Sequence, residues 1–159
     1  MIRLNIYNKT HFDALNSYEL DEIQTRFTAD IDYCINVRKD IENPLKTLVT
    51  IIYEKFPVGF FVLDKGEDKY KLTKNNSAIL IRSFSINPNY QGKGIGTIAM
   101  TLVSKFIREN IIDINEIVLS VNFRNKAAYR AYIKSGFIDN GKVINGKYGP
   151  QNVLKKRIT

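Results

Sequence analysis

Residues 90–97 form the stretch Tyr90-Gln91-Gly92-Lys93-Gly94-Ile95-Gly96-Thr97, which decides how the rest of the chain is interpreted. Three glycines within five positions let the backbone turn sharply and gather several N–H groups with no Cβ in the way. The residues that follow predict a helix, because apolar side chains recur at the spacing of one buried helical face. These side chains are Ile95, Ile98, Ala99, Leu102, Val103, Phe106 and Ile107. The first turn of such a helix adds unpaired N–H groups and the positive end of its dipole, so the stretch predicts a diphosphate-binding turn with Lys93 beside it.

Three glycine-loop patterns compete for this turn. A P-loop needs Gly-x4-Gly-Lys-Ser/Thr, which the chain lacks. A Rossmann fingerprint is met by Gly94, Gly96 and Ala99, but it also needs an acidic residue about 20 positions later, and the next predicted strand, 116–122, ends without one. The third pattern, Gln-x-x-Gly-x-Gly, is met by Gln91, Gly94 and Gly96. It resembles the acetyl-CoA signature of the GNAT superfamily of N-acetyltransferases, although on these residues alone a simple connecting turn stays open.

A second segment strengthens the resemblance. After a predicted strand at 117–121, residues 122–137 predict a helix with Asn125 as its N-cap and Gly136 just past its end. The segment is similar to the other GNAT signature, Asn-x-x-Ala-x-x-x-Tyr-x-Lys-x-Gly-Phe. The matching residues are Asn125, Ala128, Tyr132, Lys134, Gly136 and Phe137. The specific resemblance covers about the last half of the chain, and the first half agrees only in its order of elements.

The resemblance implies an acetyltransferase with acetyl-CoA as acetyl-donor co-substrate. Tyr132 occupies the general-acid position, where a phenol would protonate the leaving CoA thiolate after direct attack by an amine in a ternary complex. The expected coenzyme-binding residues lie at a strand end, in the glycine turn with the start of its helix, and on the helix of the second motif. They are Phe84, Ser85, Ile86, Gln91, Gly92, Lys93, Gly94, Ile95, Gly96, Thr97, Asn125 and Lys134. No metal is expected.

The remaining chain predicts strands at 1–7, 45–53, 58–63, 78–86, 137–144 and 153–157, with a turn at Asn145-Gly146. Residues 11–18 and 29–38 predict helices, separated by a polar segment at Asp21-Glu22, and residues 65–76 predict a loop. This order of elements resembles the GNAT fold, in which an antiparallel meander is followed by one strand-helix-strand-helix passage. We therefore expect a single α+β domain over 1–159, with a mixed, mostly antiparallel sheet flanked by helices on both faces.

Charge is divided unevenly along the chain. Residues 1–90 hold 12 basic and 12 acidic residues, whereas 91–159 hold 12 basic and 4 acidic ones, so the whole net charge of +8 lies in the half with both motifs. The phosphates of CoA would account for such an excess. Nucleic-acid binding is not expected, since no helix-turn-helix, zinc-finger or RNP-type pattern occurs. No apolar run of about 18 residues occurs, and the single cysteine, Cys34, fits a reducing compartment, so we expect a cytoplasmic protein that does not enter membranes.

The acceptor and the general base are weakly determined by the sequence. The glycine turn and the strand before it resemble those of bacterial members that acetylate polyamines and other small amines, and the acids Asp21, Glu22, Asp30 and Asp32 could attract a cationic amine. Base candidates are the carboxylates Glu54, Asp30 and Asp32, or a water held by Ser83, Ser85 or Asn122. A small-molecule amine is expected, but a protein amine, a CoA-binding module without activity, and a homodimer all stay open.

Overall fold

The computed structural model describes residues 1–158, whose seven strands form one sheet. The strands are β1 (Ile2–Ile6), β2 (Lys46–Tyr53), β3 (Phe56–Asp64), β4 (Ala78–Ile86), β5 (Glu116–Asn122), β6 (Ile138–Gly146) and β7 (Gly149–Arg157). Their order across the sheet is β1-β2-β3-β4-β5-β7-β6, and every neighbouring pair is antiparallel except β4 and β5, which are parallel. The expected mixed, mostly antiparallel sheet is confirmed.

Helices cover both faces of this sheet. They are α1 (Phe12–Leu15), α2 (Glu22–Phe27), α3 (Ile95–Asn110) and α4 (Lys126–Lys134). The face that carries α3 and α4 holds the larger core, which includes Val103 and Phe61. The opposite face holds a smaller core, in which Leu15 of α1 packs with Phe60 of β3. Within residues 1–158, no helix is both long and apolar enough to span a membrane.

Strands β4 and β5 pair over a short distance and then separate. Their register includes only Ala78 with Glu116, Ile79 with Ile117 and Leu80 with Val118. Beyond Leu80, the edge of β4 that faces β5 has no strand partner among residues 1–158. A register shift between β3 and β4 accompanies the separation, and Ser83 adopts a left-handed backbone with φ of 60°. A bulge of this kind bends a strand and turns its side chains to new directions, and here it opens the sheet at its centre.

Three predictions from the sequence differ from the structure in the outer elements. Helix α2 was not expected, and it occupies the polar segment that we took to separate two helices. Residues 29–38 contain a π-helical turn, Tyr33–Val37, rather than a long α-helix. The turn between β6 and β7 lies at Lys147-Tyr148, not at Asn145-Gly146, because Gly149 supplies the positive φ of 107° while Gly146 stays in its strand and pairs with Gly149.

Candidate functional site

A cavity of about 820 Å³ opens where β4 and β5 separate. Its lining comes from both faces of the sheet: the end of β4, the glycine turn and α4 on one side, and α2, a 3₁₀ turn at Glu67–Lys71 and the β6–β7 turn on the other. In the described part of the chain, seven charged residues line the cavity. Six are basic, namely Arg26, Lys71, Arg82, Arg130, Lys134 and Lys147, and the seventh is Asp68. A cavity with this charge favours an anionic ligand.

The glycine turn presents free backbone donors at the start of α3. Gly94 is the N-cap residue and has φ of +81°, a conformation that glycine adopts without strain. Gly96 lies against the ring of Phe84, so that a Cβ at this position would be 3.3 Å from Phe84 Cζ. None of the backbone N–H groups of residues 92–97 donates to another group within residues 1–158. Six unpaired donors next to a helix N-terminus fit a diphosphate.

Gln91 connects this turn to the strand before it. Its side-chain Nε2 donates to the Ile86 carbonyl at 2.8 Å, which joins the end of β4 to the turn. The amide group also exchanges hydrogen bonds of 3.3 Å with Gln24 of α2. The sequence marked Gln91 as part of a coenzyme motif, and in the structure its side chain holds the turn and α2 in place.

The helix α4 forms the other wall on this side. Asn125 is its N-cap, with the side-chain oxygen accepting from the Ala128 N–H at 3.3 Å. Both Asn125 and Lys134 line the cavity, as the second motif led us to expect. All but one of the twelve expected coenzyme-binding residues line it. The exception is Lys93, whose ammonium lies 5.5 Å from the centre of the Tyr90 ring, outside the cavity lining.

Tyr132 of α4 lines the cavity. Its ring is 5.8 Å from that of Phe84 and 5.5 Å from that of Phe137, centre to centre, and the residue is only 6% exposed. In the part of the chain that the structure describes, its hydroxyl makes no hydrogen bond, although the residue lines the cavity. Burial raises the pKa of Tyr132 well above its ordinary value of 10. The phenol therefore remains protonated at neutral pH and can act as a proton donor.

The opposite side of the cavity carries charges that the sequence did not predict. Arg82 of β4 donates through Nη1 to Asp64 at 3.2 Å and to Asp68 at 2.8 Å. Lys71 lies 3.8 Å from the other oxygen of Asp68. The hydrogen bond from Arg82 lowers the pKa of Asp68, so this carboxylate stays ionised and paired. These residues meet only because the 3₁₀ turn folds over the sheet beside β4, which the loop predicted at 65–76 did not suggest.

The carboxylates proposed from the sequence as bases or acceptor ligands do not line the cavity. Asp21 caps α2 by accepting from the Gln24 N–H, Asp30 accepts from the Tyr33 N–H, and Asp32 accepts from the Asn36 side chain. Glu22 pairs with Arg26 on the surface, and Glu54 pairs with the amino terminus. Each of the five makes a contact outside the cavity lining. The lining therefore supports neither a base role for Glu54, Asp30 or Asp32 nor the attraction of a cationic amine by Asp21, Glu22, Asp30 and Asp32.

The three polar candidates for a water-mediated base do line the cavity. These are Ser83, Ser85 and Asn122. Ser85 hydrogen-bonds to the hydroxyl of Tyr18 at 2.9 Å, and burial raises the pKa of Tyr18 to about 12. Asn122 donates to the Tyr148 carbonyl at 3.0 Å and so holds the β6–β7 turn against the end of β5. Cys34 is fully buried, and burial raises the pKa of its thiol to about 11, which agrees with a packed and unreactive thiol.

Known proteins share both the sequence pattern and the fold. The model of the acetyltransferase (GNAT) family matches residues 4–137. The chain is 32% identical over 154 residues to the uncharacterized N-acetyltransferase YbbJ of Bacillus subtilis (strain 168), covering 96% of this chain and 95% of that protein.

Two solved structures share the fold. The aminoglycoside acetyltransferase AAC(6')-Ib in complex with coenzyme A and kanamycin is 16% identical and superposes with a TM-score of 0.79 over 99% of this chain and 95% of that one. The spermidine N-acetyltransferase from Vibrio cholerae in complex with CoA and spermine is 16% identical, with a TM-score of 0.72 over 99% and 95% of the two chains. The chain therefore belongs to the acetyltransferase (GNAT) family and is an N-acetyltransferase.

Proposed function

We propose that the protein transfers the acetyl group of acetyl-CoA to a primary amine by direct attack within a ternary complex, with Tyr132 as the proton donor. The observation that carries the proposal is the Tyr132 phenol, which lines the same cavity as the glycine turn with its free N–H groups and as the charged residues Arg82 and Lys71. Acetyl-CoA supplies an activated acetyl thioester, and the chain supplies binding, orientation and proton transfer.

The free N–H groups of residues 92–97 would hold the diphosphate, with Arg130 and Lys134 on the facing wall contributing charge. The edge of β4 beyond Leu80 has no strand partner, so its backbone can pair with the extended amide chain of the coenzyme through Phe84, Ser85 and Ile86. A backbone N–H on this edge would also stabilise the negative charge that develops on the thioester oxygen, an effect worth about 2.7–4 kcal/mol per donor.

The proton balance follows from the reaction. A neutral amine attacks the carbonyl carbon, a C–N bond forms, and the C–S bond breaks. The departing sulfur takes a proton from the Tyr132 hydroxyl, and the amine nitrogen releases a proton to water. The Tyr132 phenolate then regains a proton from solvent, so the net products are the N-acetylated amine and the CoA thiol. Ser83, Ser85 and Asn122 are the polar groups in the cavity that could order a water to accept the proton from the amine. Asp68 is a poor base, because its hydrogen bond from Arg82 lowers its pKa.

The experiment is a thiol-release assay with the purified protein, acetyl-CoA and a panel of primary amines, with the acetylated product identified by mass spectrometry. We expect amine-dependent release of free CoA and one acetyl group on the amine. Stabilisation of the protein by CoA in a thermal-shift measurement, with no turnover on any amine, would instead identify a CoA-binding module. Acetylation of protein amino termini or lysines, with no small amine modified, would move the acceptor to a protein.

A further inference from the structure

The cavity wall on the α1 and α2 side of the sheet carries basic and apolar residues together. We call it the acceptor face and define it by Arg26, Asp68, Lys71, Leu72, Leu80, Arg82, Ile144 and Lys147, all of which line the cavity. Leu72, Leu80 and Ile144 pack in a cluster separate from the core that contains Tyr132 and the start of α3. The acceptor face is therefore on the other side of the sheet from the glycine turn, where a second substrate can reach the end of β4.

Charge on the acceptor face is positive in balance. Its basic residues are Arg26, Lys71, Arg82 and Lys147, and its only acid is Asp68. Asp64 lies next to Arg82 and Glu22 next to Arg26, and with both included the count is four basic to three acidic residues. All three acids are already paired: Asp68 contacts Arg82 and Lys71, Asp64 contacts Arg82 and the Gly66 N–H, and Glu22 contacts Arg26. Among the residues that the structure describes, each carboxylate counted here therefore already has a partner.

Arg82 itself has unused donors. A guanidinium carries five N–H groups, and the two ion pairs of Arg82 both involve Nη1. Within residues 1–158, Nε and Nη2 of Arg82 have no hydrogen-bond partner. Asp64, 3% exposed at its side chain, and Asp68 hold the guanidinium from one end, and the side chain of Arg82 is 28% exposed. A guanidinium fixed in this way can make a bidentate pair with a carboxylate or phosphate.

From these features we infer that the acceptor is an amine that also carries an anionic group, a carboxylate or a phosphate, which Arg82 binds with support from Lys71 and Lys147. Leu72, Leu80 and Ile144 would contact the apolar part that joins the two groups. The inference rests on the proposed transfer to an amine and specifies its substrate class. A polyamine such as spermine is cationic at neutral pH. The acceptor face offers it no unpaired carboxylate and carries net positive charge, so we expect it to bind poorly.

The test compares four acceptors that differ in charge: β-alanine, β-alaninamide, phosphoethanolamine and spermidine. The measured quantity is kcat/KM for CoA release. Wild-type protein should acetylate β-alanine or phosphoethanolamine in preference to β-alaninamide and spermidine. The better of the two anionic amines tells whether the recognised group is a carboxylate or a phosphate.

Two variants test the residues, and each is scored by the ratio of kcat/KM for the anionic amine to that for β-alaninamide, which removes differences in overall activity. We expect this ratio to fall about tenfold in both Arg82→Gln and Lys71→Gln, mainly through KM. Lys105→Gln, on the exposed side of α3 and outside the cavity, should leave it unchanged. Arg82→Gln could fail to fold because Asp64 loses its ion-pair partner. In that case the Lys71→Gln result alone tests the inference, since the Lys71 side chain is 77% exposed and its replacement should not disturb folding.

The outcomes separate the two proposals. Preference for spermidine or the neutral amide, or an unchanged ratio in both variants, would overturn the anionic-acceptor inference while acetyl transfer to an amine still stands. If none of the four amines is acetylated, the result would count against both the proposed acetyl transfer and the anionic-acceptor inference.

Discussion

Arg38 donates from Nη2 to the Ser83 hydroxyl at 2.9 Å and so joins a buried ion pair to the wall of the cavity. The same guanidinium binds both oxygens of Asp40, which is fully buried, and Lys46 contacts Asp40 at 3.0 Å from the other side. Burial raises the pKa of Asp40, but the hydrogen bonds from Arg38 and Lys46 outweigh it and hold that pKa below its ordinary value. The bulge at Ser83, which opens the sheet, is thus fixed by a charged group on the α1 and α2 side.

Replacing Arg38 should therefore lower the free energy of unfolding substantially. In Arg38→Met, the buried Asp40 carboxylate keeps only Lys46 and Ser83 loses its partner. We expect the free energy of unfolding to fall by about 3 kcal/mol, as measured by urea denaturation. Arg26→Met is the matched control, because Arg26 pairs with Glu22 at 3.5 Å on the surface and should lose less than about 1 kcal/mol. Equal losses in the two variants would show that the buried pair does not stabilise the fold.

Gly94 and Gly141 allow backbone strain to be separated from coenzyme binding. Both have positive φ, +81° and +84°, and a Cβ at either would have no heavy atom within 4 Å. Gly94→Ala and Gly141→Ala should each cost about 1–2 kcal/mol of unfolding free energy. Only Gly94→Ala should weaken CoA binding, by about tenfold in calorimetric titration, since its methyl group enters the space beside the free N–H groups. Equal CoA affinity in the two variants would place the diphosphate elsewhere.

Because His11 is buried, we expect the stability of the protein to depend on pH. The His11 Nδ1 lies 2.9 Å from the Thr50 hydroxyl, and the same nitrogen accepts from the Asn8 N–H at 3.3 Å. Burial lowers the pKa of His11 below 6.5. As the pH falls below about 6.5, the unfolded chain takes up this proton more readily than the folded one, so the folded state loses stability.

His11→Gln should reduce this loss, because His11 is the only histidine in the chain. Urea midpoints measured between pH 7.5 and 5 should fall more steeply for the wild-type protein than for the variant. Parallel curves for the two proteins would assign the pH dependence to other groups.

The glycine turn and α4 could be predicted because their signals are local. Glycines with positive φ, an N-cap such as Asn125 and an apolar stripe each act within a few residues, and the structure places the elements where these signals indicated. The same applies to β4 and β5, whose apolar runs are buried on both faces of the sheet.

The part of the site formed by α2, the 3₁₀ turn and Arg82 depends on contacts between residues distant in sequence. Helix α2 has no buried residue, and it is held by the cap at Asp21 and by the pairing of Gln24 with Gln91, 67 residues away. The pairing of Arg82 with Asp68 depends on how the 3₁₀ turn folds over β4. Local charge could not distinguish a capping aspartate such as Asp30 from one in the cavity, and for that reason the acids named from the sequence lie outside the cavity lining.

The last prediction concerns Tyr132. In Tyr132→Phe, the ring contacts with Phe84 and Phe137 can be kept while the hydroxyl is lost. We expect kcat to fall by about 10²–10⁴-fold, the usual contribution of a general acid, with the dissociation constant for CoA nearly unchanged. The readouts are steady-state CoA release and calorimetric titration with CoA.

The pH profile provides a separate test of the same residue, because burial raises the pKa of Tyr132. The active protein needs the protonated phenol, so activity should not decline on the alkaline side through Tyr132 until the pH exceeds about 10, the ordinary value for a tyrosine. Between pH 7 and 9 the rate should instead rise as more of the acceptor amine becomes neutral. An alkaline decline centred below pH 9 that disappears in Tyr132→Phe would mean that the phenol ionises far more easily than its buried position allows. Unchanged turnover in Tyr132→Phe would exclude this phenol as the acid and leave the thiolate to depart without a proton from the protein.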